Sequence, residues 1–184
     1  MGYLDEVWWS RLAHPNMYAW STDKPLRLVQ KTHDKSDEDP KALACYGVYF
    51  PYQARDQMLL RFVEARPVST VTIDFLAWVC GRLEARGKRV WALLWDNASW
   101  HKSKKVRRWI RAHNARVKRE GGVRIVACLL PVQSPWLNPI EPKWLHGKRA
   151  IVEPDRKLSA EEVMDRVHAY YGCERVELIA KQTA

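Results

Sequence analysis

Residues 134–144 read Ser-Pro-Trp-Leu-Asn-Pro-Ile-Glu-Pro-Lys-Trp, and this stretch is the most informative feature of the chain. Asn138 can cap the start of a helix, and Pro139 suits the first helical position. The stretch therefore predicts a helix whose first turn carries a single carboxylate, Glu141. Trp144 follows three positions later and shares a helix face with Glu141. We interpret Trp144 as a core aromatic that fixes this helix, in preference to a residue that stacks on a base.

Two further carboxylates lie upstream, each in a segment typical of a strand. Asp96 closes the apolar run at residues 90–95, and Asp5 lies within residues 3–9. The carboxyl ends of buried strands are where α/β sheets build their sites. If these two strands are neighbours, Asp5 and Asp96 can share a metal ion, and the helix can bring Glu141 in from the side. Three carboxylates suit Mg²⁺, and two such ions can cut and rejoin phosphodiesters.

Each carboxylate also has a purely structural interpretation. Glu141 could complete a capping box with Asn138. Asp96 and Asn97 could form only a turn at the end of a strand, because both residue types favour turns. Asp5 could be a solvent-facing strand residue. All three carboxylates occur in a suitable order and on suitable elements, and this combination favours the metal site over the separate alternatives.

The remaining pattern predicts strands first and then alternating strands and helices. We expect strands at residues 3–12 and 17–21, paired around a turn at 14–16, and further strands at 26–30, 42–50 and 58–63. The later strands, 90–95 and 123–130, are continuous apolar runs, which predicts burial on both faces.

Four helices complete this pattern. The first is capped by Ser69 or Thr70 and ends before Gly87, and its predicted inner face comprises Ile73, Leu76, Ala77, Cys80 and Leu83. The second covers residues 102–119, with an inner stripe of Val106, Trp109, Ile110, His113 and Val117. The third begins at residues 138–139. A capping box of Ser159 and Glu162 starts the last, with Val163, Val167 and Tyr170 facing inward.

Composition and charge favour a nucleic-acid partner. The chain has 184 residues, 47% of them hydrophobic, and a formal net charge of +10. Between Lys102 and Arg124 there are ten basic residues and one acid, so nearly all of the net charge lies here. No apolar stretch is long enough to span a bilayer, and no signal peptide is recognisable. We expect a cytoplasmic, nucleoid-associated protein.

Residues near Asp96 are candidates for contact with DNA. The basic side chains lie mostly off the apolar stripe of their helix, and we predict phosphate contacts from Lys104, Lys105, Arg107, Arg108 and Arg111. The alternative is a solvated helix face, which is what most charge runs are. Asn97 could orient Asp96 or contact DNA. His101 could contact a phosphate or position a metal-bound water, or it could simply start the helix.

Two motifs carry a resemblance to a known family. Asp96-Asn97-Ala98-Ser99-Trp100-His101 and residues 134–144 resemble the second and third catalytic motifs of the DDE transposases, in the bacterial insertion-sequence branch of the mariner superfamily. The resemblance runs from Leu4 to about Val152. It implies a ribonuclease-H-like α/β fold, a mixed five-stranded sheet flanked by helices, in a single catalytic domain over residues 1–184.

The same resemblance implies an activity. We expect cleavage and strand transfer at transposon ends, with Asp5, Asp96 and Glu141 as catalytic residues and ligands of Mg²⁺, for which Mn²⁺ can substitute. The expected partner is double-stranded DNA, both transposon ends and target, together with a second copy of the chain or a separate DNA-binding chain. In the family a histidine that matches His101 lies near the site.

The chain also departs from the family pattern. Glu141 lies further from Asp96 than is usual in this branch, and the helix-turn-helix region that normally precedes the first aspartate is absent before Asp5. We therefore expect sequence-specific recognition to come from a partner chain or a longer form. Two alternatives stay open: a decayed or repurposed transposase remnant that binds nucleic acid without cutting, and, less favoured, a cellular nuclease such as a ribonuclease H or a junction resolvase.

Overall fold

A mixed sheet of five strands organises the chain, in the order β5-β4-β1-β6-β7. The structure is a computed structural model that describes residues 1–12, 17–19, 22–23, 26–28, 36–54, 57–64, 66–152 and 156–180. The sheet comprises β1 (Gly2–Ser10), β4 (Ala42–Tyr49), β5 (Met58–Val63), β6 (Val90–Trp95) and β7 (Arg124–Leu129). A separate ribbon comprises β2 (Met17–Ala19) and β3 (Leu26–Leu28). The helices are α1 (Ser69–Ala85), α2 (Lys104–Glu120), α3 (Glu141–Ile151) and α4 (Ala160–Tyr171).

The pairing of β1 with β6 places the first two candidate carboxylates side by side. Strand β4 runs antiparallel to both of its neighbours, whereas β1, β6 and β7 run parallel to one another. In the parallel pair, Gly2 lies opposite Leu93 and Tyr3 opposite Leu94. Continuing this register brings Asp5 level with Asp96. The prediction that these two strands are neighbours is therefore confirmed.

Apolar side chains on the two faces of the sheet form two hydrophobic clusters. One cluster joins β1, β4 and β6 to α1 and α2, through residues such as Leu4, Phe75 and Trp91. The other joins the opposite face of β1, β4 and β5 to α3 and α4, with Trp9 and Trp144 at its centre. Neighbouring residues of a strand point to opposite faces. Asp5 therefore faces the α3 side, and Glu6 faces the α1 side.

Two strand predictions are wrong. Residues 17–19 pair with 26–28 and not with the first strand, whose partners are β4 and β6, and the predicted turn at 14–16 lies outside the described residues. Strand β7 is not buried on both faces, because Val126 and Leu129 are exposed, and in β6 Val90 is exposed while Ala92 and Leu94 are only partly buried. The physical reason is position: β7 is an edge strand, and α3 and α4 pack against β1 and β5 on the far side of the sheet.

The helix predictions are mostly confirmed, with corrections at the first, third and last helices. Val68 is the N-cap of α1 and no side chain caps it, so the caps expected from Ser69 or Thr70 do not form. The inner face of α1 uses Val71, Thr72, Phe75 and Val79 beside Leu76, Cys80 and Leu83, while Ala77 is exposed and Ile73 is only partly buried.

Helix α2 buries Val106, Ile110 and His113 as predicted and ends at Gly121. The capping box of Ser159 and Glu162 is present at α4. Tyr170 is exposed and not inward, because the apolar face of α4 is completed by Val163, Met164 and Val167. Within the described part of the chain, no helix is long and apolar enough to cross a membrane.

Trp144 of α3 packs directly over the backbone of Gly47. A Cβ atom added to Gly47 would lie 2.4 Å from the Trp144 ring, closer than atoms can approach, so only glycine fits. Gly47 is also the residue of β4 that pairs with Asp5 of β1. The indole of Trp144 therefore packs against β4 at the position that pairs with the first carboxylate.

We expect Gly47→Ala to destabilise the protein by about 1–3 kcal/mol, because the added methyl group displaces a packed indole. Gly81→Ala is the matched control: Gly81 lies in α1 with nothing within 4 Å of an added Cβ. That substitution should stabilise the helix by about 0.5–1 kcal/mol. Denaturant unfolding of both variants measures the difference, and equal stability of the two would contradict the close contact.

Candidate active site

Asp5 is a buried carboxylate on β1. Its residue is 8% exposed, and its Oδ2 accepts a hydrogen bond from Trp144 Nε1 at 3.0 Å. Burial, followed by the negative charges of Glu141 and Glu6, raises the pKa of Asp5 to about 8. The solvent-facing interpretation of Asp5 is therefore wrong. In the described structure this group gains a proton readily, as a carboxylate beside like charges does.

Asp96 directly follows β6, at the carboxyl end of the strand. Its Oδ1 accepts the backbone N–H of Ala98 at 2.9 Å and lies 2.7 Å from His101 Nδ1. The hydrogen bond with His101, together with that from Ala98, keeps the pKa of Asp96 below its usual range despite partial burial. The side chain is 53% exposed, so this ionised carboxylate is open to a ligand.

Glu141 is the first residue of α3, and the helix begins there rather than at Asn138. Ile140 is the N-cap and no side chain caps the helix, so the capping role predicted for Asn138, the position predicted for Pro139 and the capping box with Glu141 are all wrong. Among the described residues, no hydrogen bond or ion pair engages the Glu141 carboxylate. Desolvation and the charge of Asp96 raise the pKa of Glu141.

The three carboxylates form one electrostatic cluster. Asp96 and Glu141 line an open cleft of about 350 Å³, whose wall also includes Asn97 and Asn138. Glu141 is the shared neighbour, because its charge raises the pKa of Asp5 and its own pKa is raised by Asp96. The predicted residues are therefore brought to the same end of the sheet. That all three bind one ion stays a prediction.

The donors in this cleft fit a hard divalent cation in their chemistry. All are oxygens, which Mg²⁺ prefers, and the like charges would be relieved by a bound cation. Asn138 adds a carbonyl: its Nδ2 faces Leu4 O, and its buried Oδ1 has no hydrogen-bond partner in the described structure. Within the described residues, however, no three His, Cys, Asp or Glu side chains stand close enough together to ligate one ion as they lie.

His101 lies beneath the cleft, between two carboxylates. It is 1% exposed, its ring stacks on Trp95 at 4.6 Å between centroids, and its Nε2 lies 2.8 Å from Glu6 Oε1. Burial alone would lower the pKa of His101, but hydrogen bonds to Asp96 and Glu6 outweigh it and raise the pKa to about 9. Contact between His101 and DNA stays a prediction.

Sequence reasoning missed Glu6 and the contact that Trp100 makes with it. The Trp100 indole donates to Glu6 Oε1 at 3.1 Å, and the Glu6 side chain is only 7% exposed. One signal could have found Glu6: it directly follows Asp5 in a strand, so the two carboxylates had to lie on opposite faces, and both faces of this strand carry bulky apolar residues.

The predicted DNA-contact residues divide into an anchored amide and an exposed helix face. Asn97 Nδ2 donates to Leu130 O at 2.6 Å, which ties the end of β6 to the end of β7. Lys104, Lys105, Arg107, Arg108 and Arg111 are all exposed on α2. Within the part of the chain that the structure describes, no ion pair joins any of these five side chains to an acid. The Ser103 side chain caps α2, so the basic face begins close to the Asp96 loop.

Comparison with solved structures identifies the fold. The chain is similar to the Mos1 transposase in its paired-end complex with the left transposon end, with a TM-score of 0.61 and 14% identity over 95% of this chain. It is similar to the mariner Mos1 paired-end complex with Mg, with a TM-score of 0.62 and 15% identity over 92% of this chain. These matches cover 48% and 47% of the solved chains, so this chain spans about half of their length. The predicted ribonuclease-H-like fold is confirmed.

A family model identifies the class. Residues 53–164 match the DDE superfamily endonucleases. The matched range includes Asp96 and Glu141 and covers more than half of the chain. The protein therefore belongs to the DDE superfamily endonuclease family, which confirms the resemblance drawn from the two motifs. Comparison with curated protein sequences gives no match.

The raised pKa of Asp5 predicts a stability that falls as pH rises. The folded state holds a proton that the unfolded chain releases near the usual pKa of an aspartate, so the free energy of unfolding decreases between about pH 4 and pH 8. From about pH 4.5 to 5.5, below the range in which most histidines titrate, the decrease is at most about 1.4 kcal/mol.

Asp5→Asn should flatten this dependence in chelator-treated protein, because the amide cannot ionise and its oxygen still accepts from Trp144. Urea unfolding at several pH values measures the slope. A wild-type stability that stays constant or increases over this range, relative to Asp5→Asn, would contradict the raised pKa. Glu38→Gln, which neutralises an exposed acid at a distance from the cleft, is the control for the loss of one negative charge.

Proposed function

We propose that this chain is the catalytic domain of a transposase, which cleaves DNA at transposon ends and transfers the cut strand to a target. The observation that carries the proposal is the cluster of Asp5, Asp96 and Glu141 at one end of a ribonuclease-H-like sheet. Membership in the DDE superfamily endonucleases supports the same activity. Two solved relatives with the same fold are the Mos1 transposase paired-end complex with the left transposon end and the mariner Mos1 paired-end complex with Mg.

The three carboxylates take different parts in this proposal. Asp96, ionised and open to the cleft, supplies the first oxygen ligand. Glu141, which has no competing partner in the described structure, approaches from the start of α3. Asp5 supplies the buried carboxylate, oriented by the indole of Trp144. Sharing ions requires the three groups to draw closer than they lie here, and loss of their mutual repulsion on ion binding favours that movement.

Mg²⁺ or Mn²⁺ is the proposed cofactor. Bound divalent ions would supply activation of a water or 3′-hydroxyl and stabilisation of the leaving oxygen. The residues of the chain would hold and orient these ions. The carboxylates would supply the ligand oxygens, and the Asn97 amide holds the strand end that carries Asp96. One solved relative is a mariner Mos1 complex with Mn and another a complex with Mg, which supports this choice of ions.

Nicking of supercoiled plasmid tests the proposed activity. We expect the purified chain to nick DNA with Mg²⁺ or Mn²⁺ and not with chelator. Asp5→Asn, Asp96→Asn and Glu141→Gln should each reduce nicking below detection, because each removes one ionised ligand of the shared ions. Glu38→Gln is the matched control and should nick at the wild-type rate. Equal nicking by Glu141→Gln and Glu38→Gln would contradict the assignment.

The alternative function is a transposase remnant that binds nucleic acid without cutting. The exposed basic face of α2 is the observation that would serve this function as well, since it does not depend on the carboxylates. Measuring both DNA binding and nicking, with and without divalent ions, distinguishes the two functions. A remnant binds DNA with or without divalent ions and gives no nicks under any condition, whereas an active domain gives nicks that depend on all three carboxylates.

We propose that the basic face of α2 binds DNA phosphates. Lys105→Gln combined with Arg108→Gln should weaken binding about equally on unrelated duplexes, because phosphate contacts carry no sequence information. The slope of log affinity against log salt should become shallower by about 2, since roughly one counterion is released for each phosphate contact. Fluorescence anisotropy over a salt series measures both quantities.

The control for this prediction carries the same change in charge at a different place. Lys41→Gln combined with Lys88→Gln removes two exposed lysines, one before β4 and one after α1. These substitutions should leave the salt slope close to that of the wild type. If the two double variants lose affinity equally, binding follows the net charge of the chain, and the basic face of α2 contributes no more to DNA affinity than other exposed lysines do.

A further inference from the structure

A hydrogen-bonded chain of three side chains runs from β1 to the cleft, around the end of β6. Glu6 Oε1 lies 2.8 Å from His101 Nε2, and His101 Nδ1 lies 2.7 Å from Asp96 Oδ1. Glu6 points to the α1 side of the sheet, and Asp96 lines the cleft on the α3 side. We propose that Glu6 and His101 are positioning residues, which hold the Asp96 carboxylate in a fixed orientation for cation binding.

The contacts of Asp96 define that orientation. In the described structure, both hydrogen bonds to its carboxylate fall on Oδ1, one with His101 and one from the backbone N–H of Ala98. Oδ2 is left for a ligand in the cleft. Because two contacts from different directions converge on one oxygen, rotation of the carboxylate about its last bond would break both. A ligand oxygen held in this way meets an incoming cation with little loss of conformational freedom.

His101 is itself fixed from three sides. Its ring stacks on Trp95, with an interplanar angle of 16°, and Trp100 contacts it edge-on. Glu6 holds the far ring nitrogen and is held in turn by the Trp100 indole. Glu6 lies in β1, a central strand that pairs with β4 on one side and with β6 on the other, so its backbone is rigidly placed. These contacts restrict the movement of Asp96, a loop residue, relative to the rigid sheet.

A second buried histidine shows what a structural histidine looks like in this fold. His113 also stacks on a tryptophan, Trp109, at 5.0 Å, but its Nε2 bonds to the backbone oxygen of Val123. Its other ring nitrogen, Nδ1, lies 3.4 Å from Arg116 Nη2, so neither nitrogen meets a carboxylate. At His101 both ring nitrogens meet carboxylates, and one of those carboxylates lines the cleft. The difference in partners is what assigns His101 to the site rather than to packing alone.

This inference rests on the proposed function, because it takes Asp96 to be a ligand of the divalent ion. Its test measures Mn²⁺ affinity directly, by electron paramagnetic resonance on the DNA-free protein, beside plasmid nicking. Two substitutions at one position separate the roles of the ring nitrogens. The amide nitrogen of His101→Asn can take the place of Nδ1 and donate to Asp96. The longer side chain of His101→Gln places its amide nitrogen near Nε2, facing Glu6.

We expect His101→Gln to bind Mn²⁺ about 10- to 100-fold more weakly, the usual loss when a partner of a ligand is removed. His101→Asn should retain most of the affinity, because the donor to Asp96 is restored. Glu6→Gln keeps the shape of the buried side chain and should cause a smaller loss than His101→Gln, since a neutral acceptor holds the ring less strongly. Nicking rates should follow the same order.

His113→Gln is the control for loss of a buried, stacked histidine. It should lower the thermal unfolding temperature as His101→Gln does and leave Mn²⁺ affinity unchanged. Equal Mn²⁺ affinity in the wild type and both His101 variants would overturn the inference, and so would equal losses in His101→Asn and His101→Gln. If those variants do not fold, Glu6→Gln with wild-type affinity overturns it. A wild-type protein that neither binds Mn²⁺ nor nicks DNA overturns the proposed function itself.

Discussion

The parallel pairing of β1 with β6 sets the positions of the first two carboxylates of the candidate site. These strands are far apart in the sequence, yet their register sets Asp5, within β1, level with Asp96 at the carboxyl end of β6. A shift of one residue would turn Asp5 toward α1 and place Glu6 on the cleft side. Because both faces of β1 are packed with large apolar residues, such a shift would also expose Trp9 and bury Trp8, and the core therefore fixes the register.

The electrostatic asymmetry of the cluster follows from where each carboxylate lies. Asp96, half-exposed and hydrogen-bonded, keeps a pKa below its usual range, whereas Asp5, buried beside Glu141 and Glu6, has a raised pKa. Groups that share one site are thus held in different protonation states before any cation arrives. At the proposed cation site, this difference separates an open, charged carboxylate from a buried one that would have to lose a proton on ion binding.

The sequence contained enough to predict the fold and the three carboxylates, since Asp96, Glu141 and the intervening basic helix lie on elements with clear periodicity. The start of α3 could not be predicted, because Asn138 and Pro139 have the chemistry of a cap while the chain makes one more turn before the helix begins at Glu141. The exposure of β7 could not be predicted either, because an apolar run does not reveal whether its strand is central or at an edge of the sheet. The Glu6–His101 contact joins residues far apart in the chain, and local patterns carry no information on such a pair.

The packing of Trp144 over Gly47 makes the residue tolerated at each position depend on the residue at the other, although the two lie on different elements. A larger residue at 47 fits only if the residue at 144 becomes smaller, and a smaller residue there removes the indole N–H that Asp5 accepts. Among relatives that keep this geometry, the two positions should therefore change together or not at all. A homologue with alanine at position 47 and a non-aromatic residue at 144 would have to orient its first aspartate by other means, and substitution patterns at this pair thus report whether an indole still holds that aspartate.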